Sequence, residues 1–175
     1  VFFSTLFKRD KKLGFENDLA TGYKVSDDKL TWTVTIRDDA KFTDGEKVTA
    51  QDVAFTYQTA KESGSEIDLT MIDKITAKDD TTIEFKLNRT YSAFMERLAY
   101  LGIVPEHAYD ENFKDNPIGS GPYEFVQWDK GQQVIAKANE NYYGDKPQIK
   151  QLTMVFLDTD AAYSALQKGD VDVCQ

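Results

Sequence analysis

Residues 31–36 read Thr-Trp-Thr-Val-Thr-Ile, and this strict alternation constrains the fold more than any other stretch. Successive side chains of a strand point to opposite faces, so Trp32, Val34 and Ile36 share one face and the threonines the other. Ile83, Phe85 and Leu87, separated by Glu84 and Lys86, repeat the pattern. Each stretch predicts a half-buried strand. Later, residues 123–128 and 133–138 flank Asp129-Lys130-Gly131, a hairpin composition, and Leu152, Met154 and Phe156 alternate again. A second sheet is expected there.

Helices are fewer and clearly punctuated. Thr49 is placed to cap a helix whose third residue is Asp52, with Val53, Tyr57 and Ala60 on one face. Tyr91, Phe94, Leu98 and Leu101 form a helical stripe that begins just after the break at 88–90. A third helix is expected over 161–168, started by Asp158 or Thr159 and stopped by Gly169 in the left-handed conformation. Asp27-Asp28, Asp38-Asp39 and Asp79-Asp80 sit between strand patterns, where aspartate favours turns by bonding the neighbouring backbone. Trp32 and Trp128, both in strand patterns, are expected in the core. The fold class is therefore mixed α+β. An internal seam is expected at 110–122, where charge, asparagine, two prolines and two glycines crowd together.

Several function classes are poorly served by these residues. With 30 acidic against 21 basic residues the net charge is −9, the wrong sign for neutralising phosphates, so no nucleic-acid partner is expected. No apolar run is long enough to cross a bilayer. The one cysteine, Cys174, is read as a buried thiol or a terminal bystander, and the one histidine, His107, as a first-turn residue of a short helix. These exclude the usual catalytic triads and zinc sites, so no catalytic residue, metal or cofactor is expected. The pattern of a calcium loop is absent. The Gly-Ser-Gly-Pro of 119–122 lacks the Lys-Ser/Thr of a phosphate cradle and leads into a strand, not a helix. Tyr142 and Tyr143, after an asparagine-rich turn, cover either a loop or a cleft.

Residues 19–57 resemble the signature region of the family 5 extracellular solute-binding proteins, the oligopeptide-, dipeptide- and nickel-binding components of ABC importers. The pattern is carried by Leu19-Ala20, the strand with Thr31, Trp32, Thr33 and Ile36-Arg37, then Phe42, Asp44-Gly45, Thr49-Ala50 and Asp52-Val53. Three further blocks agree: residues 118–123 with the family's glycine turn before a strand, residues 139–147 with its asparagine, tyrosine and glycine-lysine-proline loop, and Ala165-Leu166 with 169–172. Most of the signature is structural. Asp44-Gly45 suits a tight turn, and the glycines around Ser120 are expected to supply backbone angles closed to other residues.

The resemblance implies one lobe of a type II periplasmic-binding-protein-like clamp, with mixed sheets, packed helices and the second lobe missing. On this reading residues 1–19 are an edge strand of the core lobe, 20–115 a family-specific α+β subdomain, and 116–175 the core-lobe sheet and helix. It implies capture of peptides between two lobes and delivery to an ABC importer permease, by a monomer outside the cytoplasmic membrane, periplasmic or a cell-surface lipoprotein, whose signal segment is not in this chain. Ser4, Thr5, Tyr100, Leu101, Gly119 and Ser120 are the implied ligand-binding residues. The alternatives are a nickel chelate or another small polar solute in the same fold and, from a different class, a hydrolase using an acidic pair. Nickel-chelate binders of the family carry an arginine in the loop after the second helix, where this chain reads Ala99-Tyr100-Leu101-Gly102-Ile103 and the nearest arginine is Arg97.

Overall fold

In chain order a short hairpin, β1 (Phe7–Arg9) with β2 (Phe15–Asn17), leads into a four-stranded antiparallel sheet in the computed structural model, which describes residues 1–64 and 67–174. That sheet contains β3 (Ala20–Val25), β4 (Thr31–Ile36), β5 (Ile72–Ala77) and β6 (Thr82–Leu87) in the order β3-β4-β6-β5. The two alternating stretches are its central strands. Trp32 pairs with Phe85 and Val34 with Ile83, so their apolar faces coincide. Val34, Ile83 and Phe85 are fully buried.

Helix α1 (Ala50–Glu62) packs on this face. Its start is the expected capping box: the Asp52 backbone N–H donates to Thr49 Oγ1, and the Thr49 backbone N–H donates to Asp52 Oδ2 at 2.9 Å. Asp52 Oδ1 also accepts the Glu106 N–H at 3.0 Å, and Thr56 Oγ1 accepts the Val104 N–H at 3.1 Å. One face of α1 thereby fixes the 104–106 segment. The Tyr57 ring lies edge-on to Phe85, and its hydroxyl donates to the Arg97 carbonyl.

The stripe at 91–101 forms a shorter helix than its period predicts: α2 spans only Phe94–Leu98. Ala93 at its start offers no side chain to cap the free N–H groups, so Tyr91 and Leu101 flank the helix. His107 lies in a 3-10 turn, Glu106–Ala108, with Nε2 2.7 Å from Asp44 Oδ2.

Beyond the 110–122 stretch, β7 (Tyr123–Asp129), β8 (Gln133–Ala138) and β9 (Gln151–Val155) make a three-stranded antiparallel sheet. Gly131, at φ 78°, turns the β7–β8 hairpin. Helix α3 (Thr159–Lys168) begins with Asp158 Oδ1 accepting the Ala161 N–H and stops at Gly169, φ 79°. None of its residues is buried. Trp128 departs from expectation: it is 38% exposed, with the Lys130 ammonium 5.2 Å above its ring. Its strand end lies where the small second core, Tyr123, Ala136 and Ala138, no longer reaches. Cys174 is exposed, which leaves the bystander reading of the two.

Thr49→Ala removes one half of the capping box and is expected to lower stability by about 1 kcal/mol. A shift of the urea midpoint with an unchanged slope checks this.

Candidate functional site

Residues 1–6 precede the first regular strand, yet their carbonyls gather the rest of the chain. Val1 O accepts the Tyr123 N–H, Phe2 O the Gly121 N–H, Ser4 O the Ile103 N–H and Thr5 O the Leu19 N–H, while Leu6 O takes both Asp18 and Ala20. Phe2 packs on the second core, and Leu6 and Phe7 belong to the main one. This segment is thus shared between the two cores.

The glycines beside it are there for proximity. A Cβ at Gly119 would stand 2.1 Å from Phe2 O, and one at Gly121 2.4 Å from Val1 O. Neither residue has positive φ, so the expected special backbone angles are corrected to a steric requirement. Gly102 is similar, its would-be Cβ falling 2.6 Å from Phe3 Cβ.

The six sequence-predicted residues fall along this segment with very different exposure. Ser4 is 3% exposed and its hydroxyl donates to the Ser120 carbonyl at 3.0 Å. Ser120 is fully buried, and its own hydroxyl has no hydrogen-bond partner among the described residues. Gly119 is buried, and its carbonyl accepts the Thr43 N–H. Thr5 is half-buried and donates from Oγ1 to Phe7 O at 2.6 Å. Leu101 is half-buried and Tyr100 is 71% exposed, both just ahead of Gly102 and Ile103, which touch Phe3 and Ser4.

A polar junction that the sequence does not announce lies against Thr5. Asp18 Oδ2 accepts the Thr5 N–H at 3.1 Å, and Asp18 Oδ1 accepts the Tyr143 hydroxyl at 2.7 Å. The Arg37 guanidinium lies 4.2 Å above the Tyr143 ring and also grips the Asp39 carboxylate, pulling that group below the usual range. Burial, reinforced by the Asp18 charge, pushes the Tyr143 phenol far above its ordinary value and keeps it a hydrogen-bond donor. Of these residues, Arg37 lies inside the signature and Tyr143 inside the 139–147 block, whereas nothing in the local pattern singles out Asp18.

The turn aspartates behave as turn residues. The Ser26 hydroxyl and Leu30 N–H hold Asp28 below its usual range, and the Thr81 N–H does the same for Asp79. A catalytic acid requires the opposite shift. Among the described residues no group of three His, Cys, Asp or Glu side chains is placed to hold a metal. An open cavity of about 630 Å³ is lined by Tyr23, Trp32 and Tyr91, away from all six predicted residues.

Residues 14–175 match the Bacterial extracellular solute-binding proteins, family 5 Middle. Protein XP55 of Streptomyces lividans is 37% identical over 182 residues, covering 97% of this chain and 33% of that protein. Among solved structures, NikZ of Campylobacter jejuni in complex with Ni(L-His) has a TM-score of 0.92 at 32% identity, covering 98% of this chain and 37% of that one. The oligopeptide-binding protein AppA of Bacillus subtilis, solved with a nonapeptide, has a TM-score of 0.88 at 32% identity, covering 97% and 37%. The fold is therefore that of a partial lobe of a type II periplasmic binding protein. The chain belongs to the family 5 extracellular solute-binding proteins, a family of binding proteins and not of enzymes. It spans about a third of the length of the curated relatives it matches.

Gly119→Ala drives a methyl into the Phe2 carbonyl and is expected to cost about 1–3 kcal/mol. Gly22→Ala in β3, where a Cβ meets nothing within 4 Å, serves as the control and is expected to change stability little. Thermal unfolding of the two variants side by side checks this.

Proposed function

We propose that this chain forms part of the near lobe of a solute-binding protein that captures peptides in a cleft between two lobes and presents them to an ABC importer permease. The observation that carries the reading is the likeness, over 97% of the chain, to AppA solved with a nonapeptide. The protein acts as a monomer outside the cytoplasmic membrane, in the periplasm or as a cell-surface lipoprotein. No helix among the described residues is long and apolar enough to cross a membrane.

Along the cleft, Tyr100, Leu101 and Thr5 offer surface to a solute. Buried Ser4, Gly119 and Ser120 back that surface and set the path of residues 1–5. Residues 1–19 and 116–175 then form the core-lobe part and 20–115 the family-specific subdomain. The working cycle is a population shift: solute stabilises the closed arrangement of the lobes, and the permease reads that arrangement.

A second reading, a chelated metal as solute, is favoured by the likeness to NikZ with Ni(L-His). Arg97 counts against it. Its Nη2 donates to the Tyr91 hydroxyl at 3.0 Å and its carbonyl accepts from Tyr57, so the side chain is engaged within the subdomain.

Native mass spectrometry of the protein expressed from its complete reading frame, purified without refolding, separates the readings. The expected result is a ladder of adducts that collapses to peptides on denaturation. A single metal-containing adduct supports the chelate reading, and a protein that retains nothing under saturating peptide overturns the peptide assignment.

A further inference from the structure

The junction at Asp18 joins three parts of the chain that are remote in sequence. Asp18 lies just before β3, Thr5 in the opening segment, and Tyr143 in the loop between β8 and β9, 125 positions from Asp18. The two carboxylate oxygens divide the work, one taking the Thr5 backbone N–H and the other the Tyr143 hydroxyl. No ion pair reaches Asp18 among the described residues, so neutral donors meet its charge, supported by the field of nearby Arg37. Arg37 is itself oriented by Asp39 and lies across the Tyr143 ring. Hydrogen bonds to a charged acceptor are the stronger kind, and a half-satisfied network costs more than none.

We propose that Asp18 and Tyr143 are positioning residues: they form a latch that holds Thr5 in the geometry a solute meets, and Arg37 secures it. This rests on the solute reading above. The carbonyls of Val1, Phe2, Ser4, Thr5 and Leu6 are anchored by backbone partners, whereas the Thr5 N–H depends on a side chain. Releasing the latch therefore loosens Thr5 while the four-stranded sheet, with its own ladder, stays closed. The orientation of Thr5 is then set from the 139–147 loop.

Hydrogen exchange, read residue by residue on this chain and its Tyr143→Phe and Asp18→Asn variants, tests the latch without any solute. Tyr143→Phe removes one hydroxyl and keeps the ring beneath Arg37; Asp18→Asn keeps the shape and removes the charge. The Thr5 amide is expected to exchange roughly tenfold or more faster in both variants, with Val34 and Ile83 unchanged. Equal acceleration at all three positions, or an unchanged Thr5, overturns the proposal. In the protein from the complete reading frame, both variants are expected to hold peptide roughly tenfold less tightly. Unchanged affinity beside a fast Thr5 amide overturns the positioning role. A wild-type protein that holds no peptide overturns the solute reading instead, and the exchange data still decide whether the latch exists.

Discussion

The backbone of residues 1–6 is the constraint on which the rest of the structure depends. Its carbonyls accept N–H groups from residues 18–20, 103, 121 and 123, so segments more than a hundred positions apart meet on one extended strip. Buried backbone groups must be paired, and a strip in this position has little room to move without orphaning partners on several sides at once. The three glycines that flank it follow from the same requirement. At Gly102, Gly119 and Gly121 the neighbouring chain comes so close that no side chain fits. The chemistry of the site is thus chiefly main-chain chemistry.

Around that strip the two cores differ in kind. The main core, under α1, is a set of interlocked aromatic and aliphatic side chains in which Trp32, Tyr57, Phe85 and Phe94 meet edge to face. The second is small, with Tyr123, Ala136 and Ala138 as its buried members, and α3 buries nothing against it. A helix with no buried residue contributes little to stability through packing, because helical stability in proteins comes mostly from the apolar face it covers. Packing is therefore concentrated in the four-stranded sheet, α1 and the strip attached to them.

Local chemistry explains most of what was legible in advance. The alternating stretches became β4 and β6, the Thr49–Asp52 box started α1, Gly131 turned the hairpin and Gly169 ended α3, each through forces acting within a few residues. Where expectation and structure part, the cause is longer in range. The helical stripe at 91–101 shortened to five residues because its start lacks a cap, and Trp128 stayed partly exposed because the second core ends before it. Ser4 and Ser120 are buried against each other, a pairing across 116 positions that no local pattern announces.

The sequence by itself determined the α+β class, the positions of most elements and, through its signature blocks, the family, because periodicity, caps and turn residues are read within short windows. Only the tertiary structure decided what those blocks are for. Gly119 and Gly121 serve a close approach to residues 1–2, Asp18 is a junction between Thr5 and Tyr143, and Arg37 stacks on a ring more than a hundred positions away. These are contacts between remote segments, and a distance in space leaves no period along the chain from which it can be read.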